Sequence, residues 1–222
     1  MQTPPSELAA RLIRANAAPV TVTSAYAMQK VELRLSDDPA LATRVIRLLP
    51  AALARDVTDD VLAHRELARL TPPRPLSAFR PGPAAAASKL RAWYAEGRRR
   101  SGVSWQVLAA VNFVESDFGR MRETSVAGAQ GPMQFMPSTW ASYGRGDVHD
   151  PRAAILGAAR FLRAAGAQAD ERGALYRYNP SPAYVDAVER YAGRIRRSAR
   201  AFAQYYARPV VVRTPAGYRR LK

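Results

Sequence analysis

Alanine recurs throughout this chain, whereas runs of Val, Ile and Thr are few. Alanine is the strongest helix former and β-branched residues favour strands, so this composition favours helices. Proline supports the same conclusion, because it follows a residue that can cap a helix at Asp38-Pro39, Asp150-Pro151 and Ser181-Pro182. Proline is well tolerated at the first helical position, where its missing N–H leaves no bond unmade. The sequence therefore predicts a mainly α protein.

The expected helices are distributed along the whole chain. They cover residues 7–15 after a Ser6 cap, 40–49, 58–70, 84–99, a helix capped by Ser104, 137–143, 152–165, and one from 182 towards Tyr206. Residues 19–23 form the one β-like stretch, which is too short to anchor a sheet.

Prolines cluster between residues 71 and 83, and such clusters break helices and are typical of linkers. This cluster predicts an N-terminal helical region of unknown role over 1–70, a proline-rich linker over 71–83 and a larger helical domain over 84–205. Residues 206–222 are expected to form a basic, solvated C-terminal tail.

Composition excludes several kinds of chemistry. The chain has no cysteine, which removes disulfides, thiol nucleophiles and thiolate metal sites. Its two histidines, His64 and His149, lie far apart in sequence, so a histidine metal centre or a Ser-His-Asp relay is hard to build. No metal site and no cofactor are therefore expected.

The formal net charge of +16 comes almost entirely from arginine. Such a charge favours an anionic wall polymer or an anionic membrane surface as a partner of the Arg-rich faces, although arginines spread over solvated helices give the same composition. Specific nucleic-acid binding is not expected, since no motif beyond charge supports it. No stretch is long and apolar enough for a membrane span, and residues 1–20 do not have the pattern of a signal peptide.

Glu115 stands out because it continues an apolar helical stripe. Leu108, Val111, Glu115 and Phe118 are spaced so that they share one helix face. Burial disfavours the charged carboxylate and raises its pKa, as a general acid requires. The alternative is a structural Glu that pairs with a neighbouring arginine such as Arg120.

Two further clusters follow Glu115-Ser116 in the sequence. The first, residues 127–140, contains Gly131-Pro132-Met133-Gln134, in which glycine allows close approach of the backbone to a ligand and Gln134 offers an amide. The second, residues 175–185, contains Tyr178-Asn179 in a loop before a helix. Each cluster taken alone is also compatible with a structural role.

Taken together and in this order, the three clusters resemble the lysozyme-like domain of lytic transglycosylases, which cleave the glycan strands of peptidoglycan. The resemblance covers about residues 84–195, and the run from Gln134 to Ser138 is closest to the branch of membrane-bound lytic transglycosylase B. It implies a helical fold similar to goose-type lysozyme, with an N-terminal helical extension. Glu115 matches the catalytic acid/base of the family. The residues expected to bind substrate are Ser116, Ser125, Met133, Gln134, Phe135, Tyr178, Asn179 and Tyr184.

The resemblance implies cleavage of the bond between N-acetylmuramic acid and N-acetylglucosamine, with a 1,6-anhydro product and one Glu acting as acid and then as base. A hydrolytic muramidase on the same fold is an alternative that requires a second carboxylate, for which Glu123 or Asp147 is available. Asp117 projects to another side of the helix, and Asp150 is favoured as a helix cap. A catalytically inactive wall-binding module is the other alternative.

The implied substrate places the protein outside the cytoplasm, in the periplasm or the cell wall. An export segment is then expected to have been left out of this sequence. The expected partner is the peptidoglycan glycan strand, and the protein is expected to be a monomer.

Overall fold

The computed structural model of the protein describes residues 3–221 and is mainly α, as predicted. None of the helices within this range is both long and apolar enough to span a bilayer. The elements are α1 (Pro5–Ala17), α2 (Val22–Asp37), α3 (Pro39–Ile46), α4 (Ala51–Leu70), a 3-10 turn (Leu76–Ala78), α5 (Ala87–Ser101), α6 (Trp105–Ser116), α7 (Pro137–Tyr143), α8 (Pro151–Ala164), α9 (Glu171–Tyr178), α10 (Pro182–Arg197), α11 (Ala199–Ala207), β1 (Val211–Thr214) and β2 (Gly217–Arg220).

Several helix starts follow the predicted capping chemistry. The side chains of Asp38, Ser104, Asp150 and Ser181 each accept a hydrogen bond from a backbone N–H in the first turn of the helix that follows. These bonds satisfy donors that have no partner inside the helix, which is why such residues begin helices. The predicted starts of α3, α6, α8 and α10 are therefore confirmed.

The β-like stretch predicted over residues 19–23 is wrong, because α2 begins at Val22. Thr21 and Ser24 form a reciprocal capping box, in which each hydroxyl accepts a hydrogen bond from the backbone N–H of the other. This local bonding outweighs the β preference of the alternating valines and threonines. The cap predicted at Ser6 is also wrong, since α1 starts at Pro5 without a side-chain cap.

Two hydrophobic cores organise the molecule. Side chains of α1 to α4, including Leu12, Leu35 and Val57, form the smaller core, and α5 to α11 supply most of the larger one. The two cores meet where α4 packs against α10, and Ala63 of α4 belongs to the larger core. The N-terminal helices are thus packed onto the larger core rather than separated from it.

A buried network of charges crosses the same interface. Asp60 of α4 accepts hydrogen bonds from Arg194 of α10 and from Tyr205 of α11. Arg208 lies 2.7 Å from Glu32 of α2 and 2.8 Å from Asp60, measured from guanidinium nitrogen to carboxylate oxygen. All five side chains are buried, so each charge depends on its partners in place of water.

The segment after α4 and the C-terminal segment are both fixed to the rest of the protein. The backbone N–H of Arg74 bonds to the carbonyl of Arg213, and that of Gly82 to the carbonyl of Arg120. Residues 211–220 form an antiparallel hairpin in which Val211 pairs with Arg220. The solvated tail predicted over 206–222 is therefore wrong in this part, because β pairing and the buried Arg208 hold it against the N-terminal helices.

Candidate active site

Helix α6 carries Glu115 in its last turn. The helix ends at Ser116, and the chain then leaves it through two left-handed residues, Asp117 (φ 50°) and Phe118 (φ 63°). Left-handed residues are a common way to end a helix, although they are strained for side chains other than glycine. The turn returns Phe118 to the core, where it is 1% exposed, while Glu115 stays partly accessible.

Burial raises the pKa of Glu115 to about 7, and a hydrogen bond from the Tyr184 hydroxyl partly opposes this increase. The hydroxyl donates to Glu115 Oε1 over 2.7 Å. Burial keeps the pKa of Tyr184 itself well above its usual range, so the hydroxyl stays protonated and remains a donor. Glu115 is therefore a carboxyl that can both hold and release a proton near neutral pH.

The neighbouring arginines are occupied elsewhere, which removes the alternative of a structural ion pair at Glu115. Arg120 bonds to Asp117 and to the carbonyl of Tyr206, and Arg122 bonds to the carbonyl of Pro83.

The glycine-rich loop is fastened directly to the end of α6. The hydroxyl of Ser116 donates to the carbonyl of Pro132 over 2.6 Å, and the amide of Asn112 donates to the same carbonyl over 2.8 Å. Gly131 has φ 72°, and a Cβ at this position would lie 2.1 Å from the carbonyl oxygen of Val148. Only glycine fits here, because both the backbone angle and the close approach exclude a side chain.

Four residues predicted to bind substrate are buried, namely Ser116, Met133, Phe135 and Tyr184, the last of which bonds to Glu115. Ser116 is 1% exposed and bonds within the protein, Met133 is fully buried, and Phe135 is 3% exposed and packs against Trp140 and Tyr178. Direct contact of Ser116, Met133 and Phe135 with a glycan stays a prediction. They hold the loop against the end of α6.

Gln134 lies at the tip of this loop with φ 46°, and its side-chain amide donates to the carbonyl of Gly131 over 3.0 Å. The bridge between Gln130 and Phe135 closes the loop on both sides of it. Ser125 accepts a bond from the backbone of Ala129, which orders the preceding turn. Gln134 and Ser125 both remain partly exposed.

Tyr178 and Tyr184 make different hydrogen bonds. The hydroxyl of Tyr178 donates to the carbonyl of Met133 over 2.6 Å, whereas Tyr184 is the residue that bonds to Glu115. The two rings stack with centroids 6.5 Å apart. Tyr178 is the last residue of α9, and Asn179 follows it as the C-cap and is partly exposed.

Comparison with known proteins identifies a protein family whose model matches part of this chain. Residues 93–200 match the family model described as Transglycosylase SLT domain. The predicted resemblance to transglycosylases is confirmed. The matched range contains all three sequence clusters and corresponds to the lysozyme-like helical fold that was expected, here called the SLT domain.

Membrane-bound lytic murein transglycosylase F of Thiobacillus denitrificans is 37% identical to this chain over 73 residues. The matched stretch is 33% of this chain and 15% of that protein, so the chain spans a small part of the length of this relative. The relative is a transglycosylase F, and the predicted similarity to the B branch stays a prediction. No solved structure matches the chain significantly.

The other carboxylates near the SLT domain site are engaged in structural contacts. Burial raises the pKa of Asp117 to about 6, with Arg120 opposing the rise. Glu123 accepts a bond from the backbone of Arg80, and Asp147 accepts one from the backbone of His149. Asp150 caps α8, as predicted.

A cavity beside Glu115 is a feature of the site that no sequence motif indicates. A cavity of about 210 Å³ extends from Glu115 and the end of α6 to Gln29 of α2, His64 of α4 and Val211 of the hairpin. These residues lie in segments to which no chemistry was assigned, and they carry no motif. Only the packing of α4 against α10 brings them to the SLT domain.

Proposed function

We propose that the protein is a lytic transglycosylase that cleaves the β-1,4 bond between N-acetylmuramic acid and N-acetylglucosamine in peptidoglycan. The main support is Glu115, a carboxyl with a pKa of about 7 that accepts a hydrogen bond from Tyr184 inside an SLT domain. Such a carboxyl suits a reaction in which one group must give a proton and then take one.

In this reaction Glu115 donates its proton to the oxygen that bridges the two sugars. The bond from this oxygen to the anomeric carbon breaks, and N-acetylglucosamine leaves with a hydroxyl group. The neighbouring N-acetyl group assists the oxocarbenium-like state. Glu115 then takes the proton from the 6-hydroxyl of the muramic sugar, whose oxygen bonds to the anomeric carbon. The product is a 1,6-anhydro sugar, and no water is consumed.

Gln134, Ser125, Tyr178 and Asn179 are the partly exposed members of the predicted set. We assign Gln134, Ser125 and Asn179 to substrate binding, since the Tyr178 hydroxyl already bonds to the carbonyl of Met133. Tyr184 positions Glu115 rather than the sugar, because its hydroxyl is directed to the carboxyl. The reaction needs no metal and no cofactor, and its substrate places the protein outside the cytoplasm. Binding of anionic wall polymer by the arginines and a monomeric state remain predictions.

The products released from purified sacculi test the reaction type. Mass spectrometry is expected to find muropeptides one water lighter than hydrolysis products, and a Glu115→Gln variant is expected to release none. Glu123→Gln and Asp147→Asn are matched controls that should retain activity. Reducing-end products of full mass, together with a loss of activity in either control, would instead establish a muramidase with a second carboxylate.

A Glu115→Gln variant that solubilises sacculi as fast as the parent would refute catalysis by Glu115. A protein that binds sacculi but releases no products under any condition would be a wall-binding module.

A further inference from the structure

The cavity beside Glu115 has walls from three separate parts of the chain. The SLT domain contributes Glu115 and Phe113, the N-terminal helices contribute Gln29 and His64, and the hairpin contributes Val211. Any group that occupies this space lies next to the proposed acid/base. The N-terminal helices and the hairpin are therefore placed to act on what the SLT domain binds.

Unpartnered polar atoms are concentrated in this cavity. Among residues 3–221, eight buried side-chain nitrogen or oxygen atoms lack a hydrogen-bond partner, and four belong to cavity-lining residues. These four are Gln29 Oε1, Glu32 Oε1, His64 Nδ1 and Arg208 Nε. Glu32 is 3% exposed and Arg208 is 7% exposed, so bulk solvent does not satisfy them. Buried polar groups are nearly always paired, which indicates that the cavity receives a polar occupant.

The four atoms define the chemistry of this occupant. Gln29 Oε1 and Glu32 Oε1 can accept hydrogen bonds, and Arg208 Nε–H can donate one. Burial lowers the pKa of His64 to about 4, so its ring is neutral and can accept or donate. Between these polar groups, the walls contain apolar side chains such as Leu33, Leu67 and Val211.

A secondary amide that carries a methyl or methylene group matches this arrangement. Its N–H can donate to Gln29 or Glu32, its carbonyl can accept from Arg208 or from the neutral ring of His64, and its carbon atoms can pack on the apolar wall. A bare anion would meet the carboxyl groups of Glu32 and Asp60, and a bare cation would meet the guanidinium of Arg208. A neutral amide avoids both repulsions.

The volume limits how much of a substrate enters. The cavity measures about 210 Å³, somewhat more than the roughly 150 Å³ of an engineered cavity that binds benzene. This is room for one substituent or one small ring and not for a glycan strand.

We propose that this cavity is a substrate subsite that binds a secondary amide of the glycan next to the cleaved bond. Its unpartnered polar groups come from the N-terminal helices and from Arg208, which lie outside the segment that matches the SLT family. The proposal depends on the proposed function. Peptidoglycan offers the amide in two places, which are the acetamido group of the sugar and the bond that joins the lactyl group to the stem peptide.

The test measures binding in the Glu115→Gln variant, which is not expected to cleave its ligand. Calorimetric titrations use two peptidoglycan tetrasaccharides, one without stem peptides and one with them. Gln29→Leu and His64→Leu are each added to this variant, and each is expected to raise Kd about tenfold, since a hydrogen bond to the amide is lost. His149→Leu is the control, because this second histidine is exposed and lies outside the cavity.

Melting temperatures establish that each variant is folded. His64→Leu provides an independent test should Gln29→Leu fail to fold, because Gln29 also donates to the carbonyl of Pro209.

Weaker binding of both ligands identifies the acetamido group, and weaker binding of the peptide-bearing ligand alone identifies the lactyl amide. An unchanged Kd for both ligands in a folded variant overturns the subsite. This failure is distinct from failure of the proposed function, which is judged by whether the parent protein releases anhydro products from sacculi.

Discussion

At the scale of single residues, the proton on Glu115 is controlled by two opposing effects. Burial at the end of α6 favours the neutral carboxyl, and the hydrogen bond from Tyr184 favours the carboxylate. The pKa of about 7 that results keeps both forms populated near neutral pH. Because both forms are populated, we expect the free energy of unfolding and the rate of catalysis to depend on pH near neutrality.

Replacement of Glu115 by Gln is expected to stabilise the protein at alkaline pH while it abolishes activity. The folded state holds the Glu115 proton up to about pH 7, whereas the ordinary pKa of a glutamate carboxyl is 4.5. The free energy of unfolding of the parent therefore falls as pH rises from 4.5 to 7, and Glu115→Gln lacks this loss. The variant should gain at most about 3 kcal/mol over the parent between pH 4 and pH 8.

Urea denaturation at both pH values measures this difference. Asp147→Asn, which changes an exposed turn carboxyl, should differ from the parent by the same amount at both pH values. If the free energy of unfolding of Glu115→Gln differs from that of the parent by the same amount at pH 4 and pH 8, the raised pKa of Glu115 is contradicted.

Loss of the Tyr184 hydroxyl is expected to shift the pH profile of catalysis. In Tyr184→Phe the carboxylate form of Glu115 loses a donor, so the pKa of Glu115 rises further. The alkaline limb of kcat/KM should move to higher pH, and the maximum should fall about tenfold because one hydrogen bond to the carboxyl is lost. Tyr176→Phe, at an exposed tyrosine of α9, should leave the profile unchanged. If kcat/KM of Tyr184→Phe falls but its alkaline limb stays at the same pH, Tyr184 does not control the proton on Glu115.

At the scale of elements, the loop over residues 131–135 is positioned by the end of α6. Ser116 and Asn112 bond to the carbonyl of Pro132, and Tyr178 bonds to that of Met133. Polar side chains on two helices thus hold the backbone that presents Gln134. Buried bonds of this kind fix a loop more firmly than exposed ones, because no water competes for the partners.

Gly131→Ala is expected to disrupt this loop, and Gly166→Ala is its matched control. Both glycines have left-handed backbone angles, which cost roughly 1–2 kcal/mol when a side chain is added. At Gly131 the new Cβ also meets the carbonyl oxygen of Val148 at 2.1 Å, whereas at Gly166 it meets nothing within 4 Å. Release of muropeptides should therefore fall at least tenfold in Gly131→Ala and stay near the parent value in Gly166→Ala. Equal activities of Gly131→Ala and Gly166→Ala would show that the close approach of Gly131 to the Val148 carbonyl is not needed for activity.

At the scale of the whole molecule, buried charges join the N-terminal helices to the SLT domain. Asp60 interacts with Arg194 and Arg208, and Glu32 with Arg208. A buried ion pair is a poor source of stability in itself, but removal of one partner leaves an uncompensated charge. The network therefore makes the docking of the N-terminal helices sensitive to single substitutions.

Arg194→Met is expected to lower the free energy of unfolding by about 3–5 kcal/mol, because Asp60 and its neighbours lose a buried cation. Arg196→Met on the same helix is the control. Arg196 pairs with Glu171 while 38% of its side chain is exposed, so its loss should cost at most about 1 kcal/mol. Denaturation with urea measures both values, and similar losses would show that the buried network does not hold the interface.

Local chemistry made much of the helical architecture readable from the sequence. Ser104, Asp150 and Ser181 cap helices because a short polar side chain can satisfy backbone donors only a few residues away. The extra helix at Val22 was missed because its capping box ends in Ser24 rather than Glu or Gln. The C-terminal hairpin was missed because its stability depends on packing against α2 and α4.

Local patterns in the sequence are enough to predict the mainly α fold and the helix that carries Glu115, because both depend on residues a few positions apart. The order of the three clusters gives the resemblance to transglycosylases. The tertiary structure alone decided which tyrosine bonds to Glu115, because Tyr184 lies 69 positions away and one turn of α10 directs it to the carboxyl. It also decided that Ser116 and Met133 are buried and that Gln29 and His64 line the cavity. Burial and long-range contacts arise from the packing of helices, and no local pattern encodes them.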